Sequence, residues 1–125
     1  MNQKEPVMTA LEITGLLRRH RIPFGTEQDM QDAVQAILNR NHVQHAREVL
    51  LSAKDRIDFL SDGSHVGIEC KVSGSRSAVL AQLVRYAEHA QVTALILVTS
   101  RHTHRFACDE INGKPLFVVW VGGSL

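Results

Sequence analysis

Residues 92–99 read VTALILVT, an apolar run with no charged side chain. A strand that meets water on one face alternates polar and apolar residues, whereas an unbroken apolar run of this length belongs to a strand covered on both faces. Among layer architectures, a sheet with helices on both faces is one that covers a strand in this way. Its neighbours agree. Ahead of it, residues 77–90 repeat apolar side chains at helical spacing through Val79, Leu80, Leu83, Val84 and Ala87. Behind it, a polar connection at 101–105 (RHTHR) leads to a second apolar strand at 115–121 (PLFVVWV).

The first part of the chain supplies more elements. Residues 9–20 predict a helix, with Leu11, Ile13, Leu16 and Leu17 on an imperfect apolar face that Gly15 weakens. Residues 21–25 (RIPFG) break it through Pro23 and Gly25. Thr26 then reads as an N-cap, with Asp29 as a capping-box variant, for a helix over 27–39. Its Met30, Ala33, Val34, Ile37 and Leu38 face inward, and Glu27, Asp29 and Asp32 suit the positive end of the helix dipole. Three strands follow, at 48–51, 56–60 (RIDFL) and 65–72 (HVGIECKV). Alternation places Ile57 and Phe59 on one side of the second and Asp58 on the other. In the third, Val66, Ile68, Cys70 and Val72 oppose Gly67, Glu69 and Lys71. The turn at 61–64 (SDGS) joins these two as a hairpin. The order is helix, helix, three strands, helix, strand, strand. It predicts one α/β domain over all 125 residues, with a mixed sheet flanked by helices.

Charge does not decide the partner. With 14 basic and 13 acidic residues the net charge is +1, so only local patches can speak for or against nucleic acid. Cys70 and Cys108 show no framework spacing, which predicts a reduced, cytoplasmic protein. The opening MNQKEPVMTALEITG has no basic region followed by an apolar run, so no signal peptide is expected, and residues 1–6 are expected to be loose. No stretch approaches the ~20 apolar residues that span a bilayer, so no membrane partner is expected.

Asp58, Glu69 and Lys71 carry the chemistry. Glu69 and Lys71 are two apart on a strand and leave the same face, and the hairpin brings Asp58 beside Glu69. Charges that interrupt an apolar sheet must be paired or bind a metal. Two carboxylates are hard oxygen ligands for Mg²⁺ or Mn²⁺ and leave coordination sites for water and a phosphate. Such an ion acidifies its water and stabilises charge on phosphate oxygens. A lysine beside it can orient the attacking water, assist its deprotonation or stabilise the transition state. A surface strand with a salt bridge is the plainer alternative.

Ile57-Asp58 followed by Glu69-Cys70-Lys71 resembles the motif of the PD-(D/E)XK nuclease superfamily, with Ile57 in place of the proline. The resemblance implies a restriction-endonuclease-like core of helix, three strands, helix, strand over about 26–100, to which the helix at 9–20 and the strand at 115–121 are additions. It implies a Mg²⁺- or Mn²⁺-dependent hydrolase of phosphodiester bonds, with DNA favoured over RNA. Asp58 and Glu69 would hold the metal, the Cys70 backbone carbonyl would add a ligand and Lys71 would act on water. Gln82 and Tyr86 look like the Q-x-x-x-Y signature of RecB-type members, four apart on one helical face. Glu27 matches an additional metal-proximal glutamate of many members. The small size is similar to that of stand-alone nucleases of phages and DNA repair systems.

Other features have two readings each. Glu48 is a further acid near the metal or a solvent-facing strand residue; Arg85 is a phosphate contact or a solvated charge. Residues 73–77 (SGSRS) are a loop at the mouth of the site, with Arg76 near phosphate, or a connection in which Ser75 or Ser77 caps the next helix. The run Arg18-Arg19-His20-Arg21 is a phosphate-backbone patch or a solvated helix end. His102, His104 and Cys108 fit no zinc spacing, and Cys70 falls on the core side as an inert thiol. The rival function is a non-catalytic nucleic-acid-binding or assembly module on the same fold. A nuclease subunit that needs a partner is a third reading, and a homodimer would supply the missing surface.

Overall fold

Side-chain caps set where the helices begin. In the computed structural model, which describes residues 7–122, Thr9 accepts from the Glu12 N–H and Glu12 accepts in return from the Thr9 N–H, so α1 (Ala10–Arg18) starts on a full capping box. Thr26 caps α2 (Glu27–Arg40) through the Asp29 N–H, and Ser75 caps α3 (Arg76–Ala87) through the Ala78 N–H. Between α2 and α3 lie β1 (His45–Leu50), β2 (Arg56–Ser61) and β3 (Val66–Lys71); after α3 come β4 (Ala94–Thr99), β5 (Glu110–Ile111) and β6 (Lys114–Trp120). The expected loose segment at residues 1–6 lies outside the described residues.

The strands form one mixed sheet in the order β1-β2-β3-β4-β6-β5. Tight turns make the antiparallel pairs β1–β2, β2–β3 and β5–β6, while β3, β4 and β6 run parallel. A parallel pair needs a crossover, and α3 provides the one from β3 to β4. Helices α1 and α2 cover one face, packing Ile13, Leu17, Met30, Val34 and Leu38 on Ile68, Ile96 and Val98. Helix α3 covers the other, packing Val79, Leu83 and Tyr86 on Leu95, Leu97 and Leu116. Every residue of β4 is buried between the layers, which accounts for its apolar run. The chain is therefore a mixed α/β domain with helices on both faces, as its patterning predicts. Among the described residues no helix is long and apolar enough to cross a membrane.

Three local features depart from the sequence reading. β1 starts at His45, before the expected 48–51, because two polar side chains are held inward. His45 packs edge-on against Phe59, with ring centroids 5.7 Å apart, and Arg47 lies 5.5 Å over the same ring. Ile57 and Phe59 do not share a face: Phe59 joins the core under α1 and α2, and Ile57 the core under α3. The strand turns over between them, at Asp58. In β1 the ladder skips the facing position, running from Arg47↔Phe59 to Val49↔Ile57, and the skipped Glu48 has φ 56. A left-handed residue other than glycine inside a strand is strained, and simple alternation does not foresee it. Last, the connection at 101–105 contains a 3₁₀ turn (His102–His104) with His104 buried, and β5 pairs with β6 through a turn at Asn112 and Gly113, both at positive φ.

Candidate active site

The site lies where β2 and β3 part. Their ladder pairs Leu60 with Gly67 and Phe59 with Ile68, and no later pair follows. Past that point the backbone N–H groups of Asp58 and Cys70 need other acceptors. Side chains provide them crosswise: Asp58 Oδ2 accepts from the Cys70 N–H at 2.8 Å, and Glu69 Oε1 accepts from the Asp58 N–H at 3.2 Å. Each carboxylate is thus fixed by the other's strand, and the sequence pair Asp58 and Glu69 converges as expected. Lys71 joins them, with Nζ 3.4 Å from Glu69 Oε2.

Strand geometry also settles where the Cys70 backbone faces. The N–H and carbonyl of one strand residue point to the same side. The Cys70 N–H meets Asp58, so its carbonyl opens into the same gap, while the next carbonyl, that of Lys71, turns to β4 and accepts from the Ser100 N–H. The Cys70 thiol lies in the opposite core, where burial first, and the charges of Asp58 and Glu69 second, push its pKa well up. It is an inert core thiol, as alternation predicts.

The gap is electrostatically expensive. Glu69 is only 3% exposed; burial first, then the charge of Asp58, push its pKa up to about 8 against the pull of Lys71. Asp58 is raised as well, by burial first and then by the charge of Glu27, although bonds from the Cys70 N–H and Gln31 favour its ionised form. Two carboxylates in so dry a gap ionise together only beside a cation. The donors on hand are carboxylate oxygens and one carbonyl, a hard set that suits Mg²⁺ or Mn²⁺. Among the described residues no three His, Cys, Asp or Glu side chains are arranged for a metal. Two carboxylates and a carbonyl remain a fitting set for Mg²⁺, which keeps several of its own waters.

Helix α3 braces the site from behind. Gln82 Nε2 donates to the Tyr86 hydroxyl at 2.7 Å, and that hydroxyl donates to the Arg56 carbonyl at 2.8 Å and lies 3.4 Å from Glu69 Oε2. Tyr86 is fully buried, and burial followed by the charge of Glu69 raises its pKa. From the other face, α2 brings Glu27 and Gln31 to Asp58. Gln31 and Arg47 are the residues that sequence reasoning missed. Arg47 donates to Gln31, Asp32 and Gln35 at 3.0, 2.9 and 2.9 Å, tying β1 to α2 beside the site. Gln31 lies one helical turn after Glu27, and that spacing was the available signal.

Other candidates sit elsewhere. Arg85 turns away from Glu69 and pairs with Asp55 at 3.1 Å, while His89 takes the second oxygen of Asp55 at 3.0 Å. These partners, His89 first, hold Asp55 below its usual range and fasten the β1–β2 turn to α3. Glu48 is exposed on the edge strand opposite Asp58. Arg76 donates to the Thr103 carbonyl at 2.9 Å and lies 4.7 Å over the Phe106 ring. His104 donates through Nε2 to the Gly74 carbonyl at 2.8 Å and meets the Thr99 hydroxyl through Nδ1 at 2.7 Å, so it pins the loop after Lys71 to the end of β4. No family model, curated protein or solved structure matches this chain.

Proposed function

We propose that this protein is a metal-dependent nuclease of the PD-(D/E)XK type that hydrolyses phosphodiester bonds in DNA. The observation that carries the reading is the crosswise locking of Asp58 and Glu69 at the parting of β2 and β3, with Lys71 at 3.4 Å. The run from α2 to β4, helix, three antiparallel strands, helix, parallel strand, agrees with the restriction-endonuclease-like core that the motif implies.

Asp58, Glu69 and the Cys70 carbonyl would hold Mg²⁺ or Mn²⁺, with Glu27 beside Asp58 as an outer acid. When bound, the ion supplies an acidified water and neutralises charge at the phosphate. The chain's own groups do the rest. Lys71 presents its ammonium where it can orient the attacking water or meet charge developing on the phosphate. Its contact with Glu69 Oε2 at 3.4 Å keeps that ammonium placed. Tyr86, itself held by Gln82, bears on Glu69 from α3, and the Cys70 N–H holds Asp58, so both carboxylates are positioned before substrate arrives. The test is cleavage of labelled single-stranded, duplex and branched DNA with Mg²⁺, Mn²⁺ or EDTA. Cutting that needs the metal and is lost in Lys71→Ala supports the reading; no cutting of any substrate by folded protein moves it to the non-catalytic binding module.

A further inference from the structure

A second surface lies on the same end of the sheet. Arg18, His20, Arg21, Phe24 and Trp120 line an open groove of about 470 Å³ between the end of α1 and the end of β6. Its two aromatic side chains face water: Phe24 is 42% exposed and Trp120 36%. Two such rings lining one groove form a patch of the kind that marks an interaction site, which a single exposed ring would not. The rest of the lining is the apolar wall of Leu17, Ile22, Pro23, Val119 and Val121 with the two cations Arg18 and Arg21 on it, and just outside it Arg105 stacks 4.5 Å over the Trp120 ring. Arg18 is held in place by its bond to the Val118 carbonyl at 2.9 Å, so part of this charge is positioned rather than free to move.

The groove is aligned with the candidate active site. Lys71 pairs with Thr99 and Thr99 with Trp120, so all three stand level at the carboxyl ends of the parallel strands β3, β4 and β6. With neighbouring strands about 4.8 Å apart, the Trp120 backbone lies roughly 10 Å from that of Lys71. Ligands of open α/β sheets bind outside these carboxyl ends. On the other wall, Phe24 precedes the cap of α2, whose first residue, Glu27, bears on Asp58.

We propose that this groove binds a single-stranded segment of nucleic acid and leads it to the Asp58, Glu69 and Lys71 site. This rests on the nuclease reading for the destination of the strand but not for its binding. Exposed aromatic rings flanked by Arg18, Arg21 and Arg105 match a strand whose phosphates meet the guanidinium groups while its bases stack on Trp120 and Phe24. A duplex keeps the faces of its bases stacked inside and has none to lay on such rings. The two rings therefore select unpaired over paired strands.

Trp120 is the only tryptophan of the chain, so its emission reports the groove alone. The experiment titrates the full chain with oligothymidylate and with a duplex of equal length, in EDTA so that nothing is cut. Oligothymidylate should quench the emission and the duplex should not. By anisotropy of labelled oligothymidylate, Trp120→Ala and Phe24→Ala should each bind about tenfold more weakly, and Trp120→Phe, which keeps a ring, should bind nearly as well as wild type. Arg21→Ala should reduce the salt dependence of binding by about one counterion. Unchanged emission at saturation, equal quenching by duplex, or wild-type affinity in folded Trp120→Ala would overturn the proposal. Quenching without metal-dependent cleavage keeps the groove and removes the nuclease reading; cleavage with unchanged emission does the reverse.

Discussion

Replacing Glu69 by Gln should make the protein more stable at alkaline pH and not at acid pH. The carboxyl is held at about 8 in the folded chain against an ordinary 4.5, burial being the largest cause and Asp58 the next. Its folded pKa is raised, so the sign follows. Below pH 4.5 the group is protonated whether folded or unfolded and imposes no penalty. As pH rises towards 8 the unfolded chain ionises freely and the folded one does not, so stability is lost across that window. At about 1.36 kcal/mol for each pH unit of separation, the loss is at most roughly 5 kcal/mol, and the coupling to Asp58 and Lys71 makes about 2 kcal/mol a working lower figure. For a domain of this size each kcal/mol moves Tm by about 4 °C. Gln keeps an oxygen for the Asp58 N–H and has no charge to bury. In EDTA, Glu69→Gln should thus melt roughly 8 °C or more above wild type at pH 8.5 and level with it or below at pH 4.5. Adding Mn²⁺ at pH 8.5 should raise the wild type alone, because only it gains a ligand for the ion. Thermal melts followed by circular dichroism measure all of this. Parallel pH profiles for the two proteins would refute the electrostatic reasoning.

Lys71→Ala removes the cation that favours ionised Glu69, so in EDTA it should melt below wild type at pH 8 and with it at pH 4.5; a uniform loss at both would show that only packing had changed. Tyr86→Phe leaves the Arg56 carbonyl and the Gln82 amide without their buried partner, at about 1–3 kcal/mol, read as a shift in denaturant midpoint; an unchanged midpoint contradicts the bracing role. Gly67→Ala would bring a Cβ to 2.5 Å from Ile57 Cδ1 and 3.1 Å from Leu95 Cδ2. Ile57 is fully enclosed, so this overpacking should destabilise by about 1–3 kcal/mol in the same assay, and wild-type stability would mean that the two faces have slack.

Much of the layer plan was legible because its causes are periodic. The run at 92–99 reads as a strand covered on both faces, and β4 is that strand, with all its residues buried. In β3 the two faces separate as the alternation predicts, with Val66, Ile68 and Cys70 in the core under α1 and α2, and Glu69 and Lys71 turned the other way. β2 fails the same rule for a physical reason. The chain turns over at Asp58, opposite a left-handed glutamate, and no glycine marks the spot. That break belongs to the site: the strands part there and their carboxylates replace the missing ladder bonds. Arg47 and His45 were illegible as inward strand residues because their partners, Gln31, Gln35 and Phe59, come from other elements. Arg85 illustrates the converse. Its helix suggests the site, yet Asp55, thirty residues earlier in the chain, takes its guanidinium. β5 is too short for a periodic signal, although Asn112-Gly113 is the usual two-residue hairpin turn.

The most direct test of the central assignment compares the cleavage rate of wild type and Lys71→Ala on the same labelled DNA in Mn²⁺, with melting curves of both at the same pH. The site predicts cutting that EDTA abolishes and that falls by about 100-fold or more in the variant, while the variant remains folded at the assay temperature. Equal rates in the two proteins, or cutting that persists in EDTA, would contradict the role given to Asp58, Glu69 and Lys71.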